Sequence, residues 1–307
     1  MKTFSLKKVK NELSKKGIFH TDNKLADIIH DISKEYVPKC KEAYDPTCGT
    51  SSLLIRFDKD VKKYGQELEE EFCELARENL GSNCDIRQGD TLLVDRFKGQ
   101  KFEVIVANPP FSISYEPEQL ENDERFKDFE VMPPKSKADY AFIFHCISKL
   151  KDDGVFVCLC FPGILYRTKR EREIRKNLLE MNLIEKIISI PGKYFADTDI
   201  ETNIIVFRKN RKTTDVIFEK LNGDKKTVTF DEIKNNDFNL SVTSYIETEI
   251  KKEKIDPVLL ELECQEKTLR CLELSLQATK IASDFGHADM FEFINKCYNL
   301  IDKYYHI

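Results

Sequence analysis

Phe102-Glu103-Val104-Ile105-Val106-Ala107-Asn108-Pro109-Pro110-Phe111 is a short apolar run that stops on an amide and two prolines. Such a run with an abrupt end reads as a strand buried on both faces, the kind found in parallel sheets. Two prolines cannot continue a hydrogen-bonded ladder, so the chain leaves the sheet at Asn108. Outward from this strand, residues 43–45, 61–66 and 84–88 before it and 155–161, 184–190 and 203–207 after it read as further strands. Residues 51–57, 67–80, 138–150 and 169–181 read as the helices between them. Most crossovers are long enough for parallel pairing, which predicts an α/β, doubly wound, Rossmann-like fold with a mostly parallel seven-stranded sheet. Ligands of such sheets bind at the carboxyl ends of the strands, where candidate functional residues are to be sought.

The flanks are simpler. Residues 1–16 are polar and basic, and Leu25, Ile28, Ile29 and Ile32 recur at helical spacing, so residues 1–40 form a short amino-terminal helical segment before a catalytic domain at 41–210. Residues 211–250 hold a hairpin at 215–230, turned at Asn222-Gly223-Asp224, that extends or flanks the sheet. Residues 251–307 form a helical tail: Asp256-Pro257 is a helix start, and Leu262, Leu269 and Leu276 repeat every seven residues.

Composition narrows the function classes. With 49 Lys plus Arg against 54 Asp plus Glu, the formal charge is −5, which excludes coating of nucleic acid by bulk charge. Any such contact is local, and the basic runs 2–16, 167–176 and 208–212 are its candidates, although most runs of this kind are solvated faces. The ten cysteines are scattered, without Cys-x-x-Cys spacing or a secretory signal before them, so no disulfide framework and no metal are expected. No apolar run approaches the roughly 18 residues of a membrane span, and a reducing cytoplasm is the expected compartment.

Four strand ends carry candidate chemistry. The turn Asp45-Pro46-Thr47-Cys48-Gly49-Thr50-Ser51 follows the first strand, and its small residues let backbone approach a ligand that carries a carboxylate, as S-adenosylmethionine does. A glycine turn also suits any tight strand-to-helix connection. Glu67 ends the second strand, where a carboxylate accepts ribose hydroxyls, though a helix-start acid has the same look. Asp90 follows the third strand, placed for an adenine amine or for a turn cap. Asn108, Pro109, Pro110 and Phe111 end the fourth: the Asn side-chain oxygen and the Pro109 carbonyl are rigid acceptors for a planar amine, and Phe111 is a stacking face. Accepting both N–H bonds turns the amine lone pair toward a methyl donor and offsets the charge growing on nitrogen.

With these residues in place, residues 17–247 resemble the modification subunit of type I restriction-modification systems, in the family of adenine-N6 DNA methyltransferases. The likeness continues through Ala138-Asp139-Tyr140-Ala141-Phe142, Leu150 to Gly154, Ile174-Arg175-Lys176 with Leu178-Leu179, Ile190-Pro191 with Phe195, and Phe238-Asn239-Leu240 with Tyr245. It implies that Asp45 to Ser51, Glu67, Asp90 and Asn108 hold S-adenosylmethionine, that Phe19 and Thr21 contact its methionine end, and that Asn108 to Phe111 hold a flipped adenine. It also implies double-stranded DNA and a separate specificity subunit as partners, with a restriction subunit left open; from the leucine register, the helices after Asp256 are expected to contribute to the contact with the specificity subunit. Three departures stand out: Ser51 replaces a glycine or another very small residue, Asp22 replaces the proline after Thr21, and the chain begins close to the catalytic domain. Two rival readings are a protein-glutamine or RNA-amine methyltransferase and a non-catalytic assembly protein retaining the fold.

Overall fold

A computed structural model describes residues 21–120, 122–192, 201–247 and 257–284. Its central strand, β4 (Phe102–Ala107), sends Ile105 and Ala107 into one buried apolar cluster and Val104 and Val106 into a second, the period-two signature of a sheet covered on both faces. Around it lie β1 (Glu42–Asp45), β2 (Lys62–Glu67), β3 (Cys84–Gln88), β5 (Leu150–Cys160), β6 (Ile184–Ile190), β7 (Thr202–Phe207), β8 (Val216–Lys220) and β9 (Lys225–Val228), in the order β3-β2-β1-β4-β5-β7-β6-β8-β9.

Among the described residues the sheet therefore has nine strands, where the sequence predicts seven, and it is mostly parallel as predicted, with an antiparallel part. From β3 to β5 every pairing is parallel; β7 runs antiparallel to β5 and β6, and β8 rejoins parallel to β6. The extra strands are the hairpin, closed at Gly223, whose φ of +98° suits glycine. Val216, Phe218 and Val228 bury completely, and that burial makes β8 and β9 part of the sheet and not a flap beside it.

One face is covered by α1 (Asn23–Tyr36), through Leu25, Ala26, Ile29 and Ile32, and by α2 (Glu70–Leu80), through Cys73 and Ala76. Asp22 begins α1: its carboxylate accepts from the Lys24 N–H at 2.9 Å, which accounts for an aspartate at this place. The opposite face is covered by α3 (Asp139–Lys149), buried almost throughout, and by α4 (Arg170–Glu180). A short α5 (Phe230–Asn235) follows the hairpin. Residues 51–57 are not the predicted α-helix but a turn followed by a 3₁₀ segment, Leu54–Arg56. Gly49 and Ser51 hold φ of +51° and +71°, values an α-helix cannot contain.

The chain divides into two compact units, residues 1–248 and 249–307. In the second, α6 (Pro257–Asp284) is a helix of 28 residues, with Leu262 and Leu269 exposed along it. None of the described helices is long and apolar enough to cross a membrane.

Candidate functional site

Strand order reverses direction between β1 and β4, the place where doubly wound sheets open a crevice beyond their strand ends. In register, Asp45 pairs with Gly65 and Glu67 with Gln88, so the ends of β1, β2 and β3 reach one edge together. A cleft of about 510 Å³ opens there, within the usual range for small-molecule sites. Thr21, Asp45 to Thr50, Glu67, Asp90 and Asn108 to Pro110 all line it. Ser51 and Phe111 do not, and Phe19 lies outside the described residues.

The β1 turn is held from three sides. Cys48 N–H donates to the Gln66 carbonyl at 3.0 Å, Ser51 N–H to the Cys48 carbonyl at 2.7 Å, and the Thr91 hydroxyl to the Pro46 carbonyl at 2.5 Å. Gly65 is required beneath it, because a Cβ there would stand 2.7 Å from Cys48 Sγ. Ser51 is fully buried in a left-handed conformation, which accounts for a small residue at this place. At Gly49 a Cβ would meet nothing within 4 Å, so the backbone borders open space.

Three carboxylates crown adjacent strand ends, each with a different task. Asp45 is 2% exposed and accepts from Thr47 N–H at 2.9 Å. Burial, seconded by the charge of Glu67 and opposed by the Thr47 bond, pushes its carboxyl up to about 7. Glu67 spends its oxygens on backbone: Oε2 accepts from Gly49 N–H at 2.8 Å, and Oε1 from Leu68 and Glu69 N–H at 2.7 and 3.1 Å. Asp90 Oδ1 caps its own turn, accepting from Leu92 N–H at 2.9 Å. Glu67 is therefore a brace for the glycine turn besides being a cleft wall, a role that strand position alone does not reveal.

Asn108 Nδ2 donates to Thr21 Oγ1 at 3.0 Å. That bond orients the amide and leaves Oδ1 as an acceptor on a residue lining the cleft. Beyond the prolines, Ser112 turns at φ +53°, and its N–H points at both oxygens of the buried Asp139, at 3.3 and 3.2 Å. Asp139, at the first position of α3, thus anchors the chain directly after Phe111. Phe111 itself lies 6.4 Å, ring to ring, from Phe161, the first residue beyond β5.

Sequence reasoning missed two groups. Ile113 to Glu116 and Gln119 close one side of the cleft, with Tyr115 anchored through its hydroxyl to the Pro133 carbonyl at 2.9 Å. Arg125, 7% exposed, clamps the loop after β3: it donates to the carbonyls of Thr91 and Leu92, both at 2.6 Å, pairs with Asp123 at 2.6 Å, and donates to His145 Nδ1 at 2.8 Å. With Nδ1 accepting, the His145 proton resides on Nε2, 3.0 Å from the Tyr44 hydroxyl. Burial and then the charges of Arg125 and Lys149 hold His145 far below its ordinary value, hence neutral. No local motif marks Arg125, which reaches this place only through the path of the 112–138 connection.

Known proteins resemble this chain in sequence and in fold. The chain is 31% identical to the Type I restriction enzyme MpnII methylase subunit of Mycoplasma pneumoniae, over 89% of this chain and 62% of that one. It is 27% identical to the Type I restriction enzyme MjaVII methylase subunit of Methanocaldococcus jannaschii, over 72% and 48%. The chain therefore spans between about half and three fifths of the length of these relatives. Among solved structures, the type I restriction-modification methyltransferase subunit from Streptococcus thermophilus superposes with a TM-score of 0.70 at 30% identity, over 75% of this chain and 59% of that one. The family model described as N-6 DNA Methylase matches residues 3–226, most of the sheet and the whole cleft, and the chain belongs to that family.

Proposed function

We propose that this chain binds S-adenosylmethionine in the β1–β4 cleft and transfers its methyl group to N6 of adenine in double-stranded DNA. In this reading it acts as the modification subunit of a restriction-modification system and relies on a separate specificity subunit. The observation that carries it is the tie between Asn108 and Thr21. With Nδ2 engaged, Asn108 Oδ1 and the Pro109 carbonyl are a fixed pair of acceptors for the two N–H bonds of an exocyclic amine.

The donor set suits the cofactor. It is a cation, and a carboxylate such as Asp45, pushed up to about 7 by burial, gains most from a positive neighbour. Gly49 leaves backbone open toward the cleft, Glu67 and Asp90 supply further acceptors, and Thr21 and Pro46 to Thr50 complete the wall. S-adenosylmethionine supplies the activated methyl, while the protein supplies orientation, acceptors for the growing charge and exclusion of water. Phe111 offers the target base a stacking face outside the cleft wall. Direct transfer fits the cleft wall, where the described cysteine is Cys48, a buried thiol pushed up by burial and so not poised as a thiolate nucleophile.

The test is methyl transfer from labelled cofactor to adenine-containing DNA by the chain assembled with its specificity subunit, with ribosomal RNA and a release-factor peptide as competing substrates. Label in N6-methyladenine is expected, and Asn108→Ala is expected to abolish it while cofactor affinity by calorimetry stays within about threefold. Label only in RNA or peptide, or full activity of Asn108→Ala, overturns the proposal.

A further inference from the structure

Of the basic run at residues 167–176, most cations already have partners within the chain. Arg175, 1% exposed, donates to the carbonyls of Phe238, Arg167 and Ile164 at 2.7, 2.8 and 3.1 Å. Arg172 pairs with Asp237 at 2.6 Å and with Glu173, and Lys176 lies 3.9 Å from Glu180. Arg167 is divided: Nη1 stands 3.2 Å from Glu171, and Nη2 stands 3.4 Å from the hydroxyl of Ser112, the residue after Phe111. Lys169 and Arg170 are exposed, and among the described residues their side chains have neither an ion pair nor a hydrogen bond.

Topology puts these two charges beside the candidate catalytic turn. Strand β5 pairs with β4, Ala107 opposite Cys158, so residues 161–170 and 108–112 leave the same sheet edge from neighbouring strands. The charge of Arg170 also reaches the Tyr115 hydroxyl on the cleft wall. Neither Lys169 nor Arg170 lines the cleft, so they are placed for an anion outside it. In a chain of net charge −5, a polyanion is held only where uncompensated cations gather, and DNA offers one negative charge per roughly 1.7 Å of axis.

We propose that Lys169 and Arg170, with Arg167 behind them, hold the backbone phosphates that flank the adenine presented to Asn108 to Phe111. This rests on the adenine methyltransferase reading and adds to it the surface that seats the target strand. Both side chains lack partners among the described residues, so their removal leaves the fold intact.

The decisive comparison is wild type against the Lys169→Ala/Arg170→Ala double variant, both as the full chain assembled with its specificity subunit and saturated with S-adenosylmethionine. DNA affinity is read by fluorescence anisotropy on an adenine-containing duplex between roughly 50 and 200 mM salt, the range over which phosphate neutralisation is most visible. The expected result is binding about tenfold or more weaker, with the slope of log affinity against log salt reduced by about 2, since each phosphate left without its cation lowers it by about 0.9. KM for DNA rises, kcat and cofactor affinity stay unchanged, and the charge-preserving Lys169→Arg/Arg170→Lys variant behaves as wild type. Unchanged affinity and salt slope, in a protein whose wild type methylates DNA, overturns this inference alone. A wild type that methylates no DNA overturns the function proposed above and this inference with it.

Discussion

Asp45→Asn is predicted to make the protein without cofactor more stable above neutral pH while weakening its hold on S-adenosylmethionine. Asp45 is buried, and its carboxyl is raised from an ordinary 3.8 to about 7. A raised carboxyl binds its proton more tightly folded than unfolded, so stability is complete below pH 3.8 and declines as pH rises through about 7. At 1.36 kcal/mol per pH unit the loss totals about 4 kcal/mol, of which roughly 3 kcal/mol falls between pH 5 and pH 8. Asparagine keeps the acceptor for Thr47 N–H and has no charge to desolvate, so it escapes the decline. Urea unfolding of both proteins at pH 5, 6, 7 and 8 and fixed ionic strength measures this. The stability of Asp45→Asn minus that of wild type should grow by roughly 3 kcal/mol across the series. With cofactor the order reverses: wild-type affinity rises with pH as the cation displaces the proton, and the variant is weaker and flat. If the two unfolding series run parallel, burial does not raise the Asp45 carboxyl.

Two further predictions concern residues that position the site. Thr21→Val removes the acceptor for Asn108 Nδ2, and loss of one hydrogen bond worth about 1 to 1.5 kcal/mol lowers kcat for methyl transfer roughly tenfold, with Thr21→Ser restoring it. Unaltered kcat in Thr21→Val would show that the amide is oriented by something else. His145 is neutral when folded and titrates near 6.5 when unfolded, so its contribution is present above pH 6.5 and is lost as pH falls below it. His145→Gln keeps an acceptor for Arg125 and a donor for Tyr44 without the proton, and unfolding experiments at pH 5 to 7 should show a shallower acid decline than in wild type.

Much of the fold was written locally. FEVIVA followed by Asn-Pro-Pro, the helical spacing of Leu25, Ile29 and Ile32, and Asn222-Gly223 each name their structure, because strand period, helix period and turn angles are properties of a few adjacent residues. Where the local reading erred, a neighbour overrode it. Residues 51–57 have helical composition, but the left-handed Gly49 and Ser51 break the helix into a turn and a 3₁₀ segment. The hairpin, legible as a hairpin, became sheet through burial of Val216 and Phe218.

The sequence alone determined that this is an α/β domain, and it picked out Asp45, Glu67, Asp90 and Asn108 as candidates by their places after successive strands. Tertiary structure alone decided what each does there. Glu67 braces Gly49, Thr21 orients Asn108, Asp139 anchors Ser112, and Arg125 clamps the Thr91 loop, all across separations of 18 to 87 residues. It also separated one basic run into buried or paired arginines and, among the described residues, two cations without a partner beside the cleft. The physical reason is that a strand or a turn is specified by neighbours in the chain, whereas the partner of a buried polar group is specified by how the sheet brings distant segments to one edge.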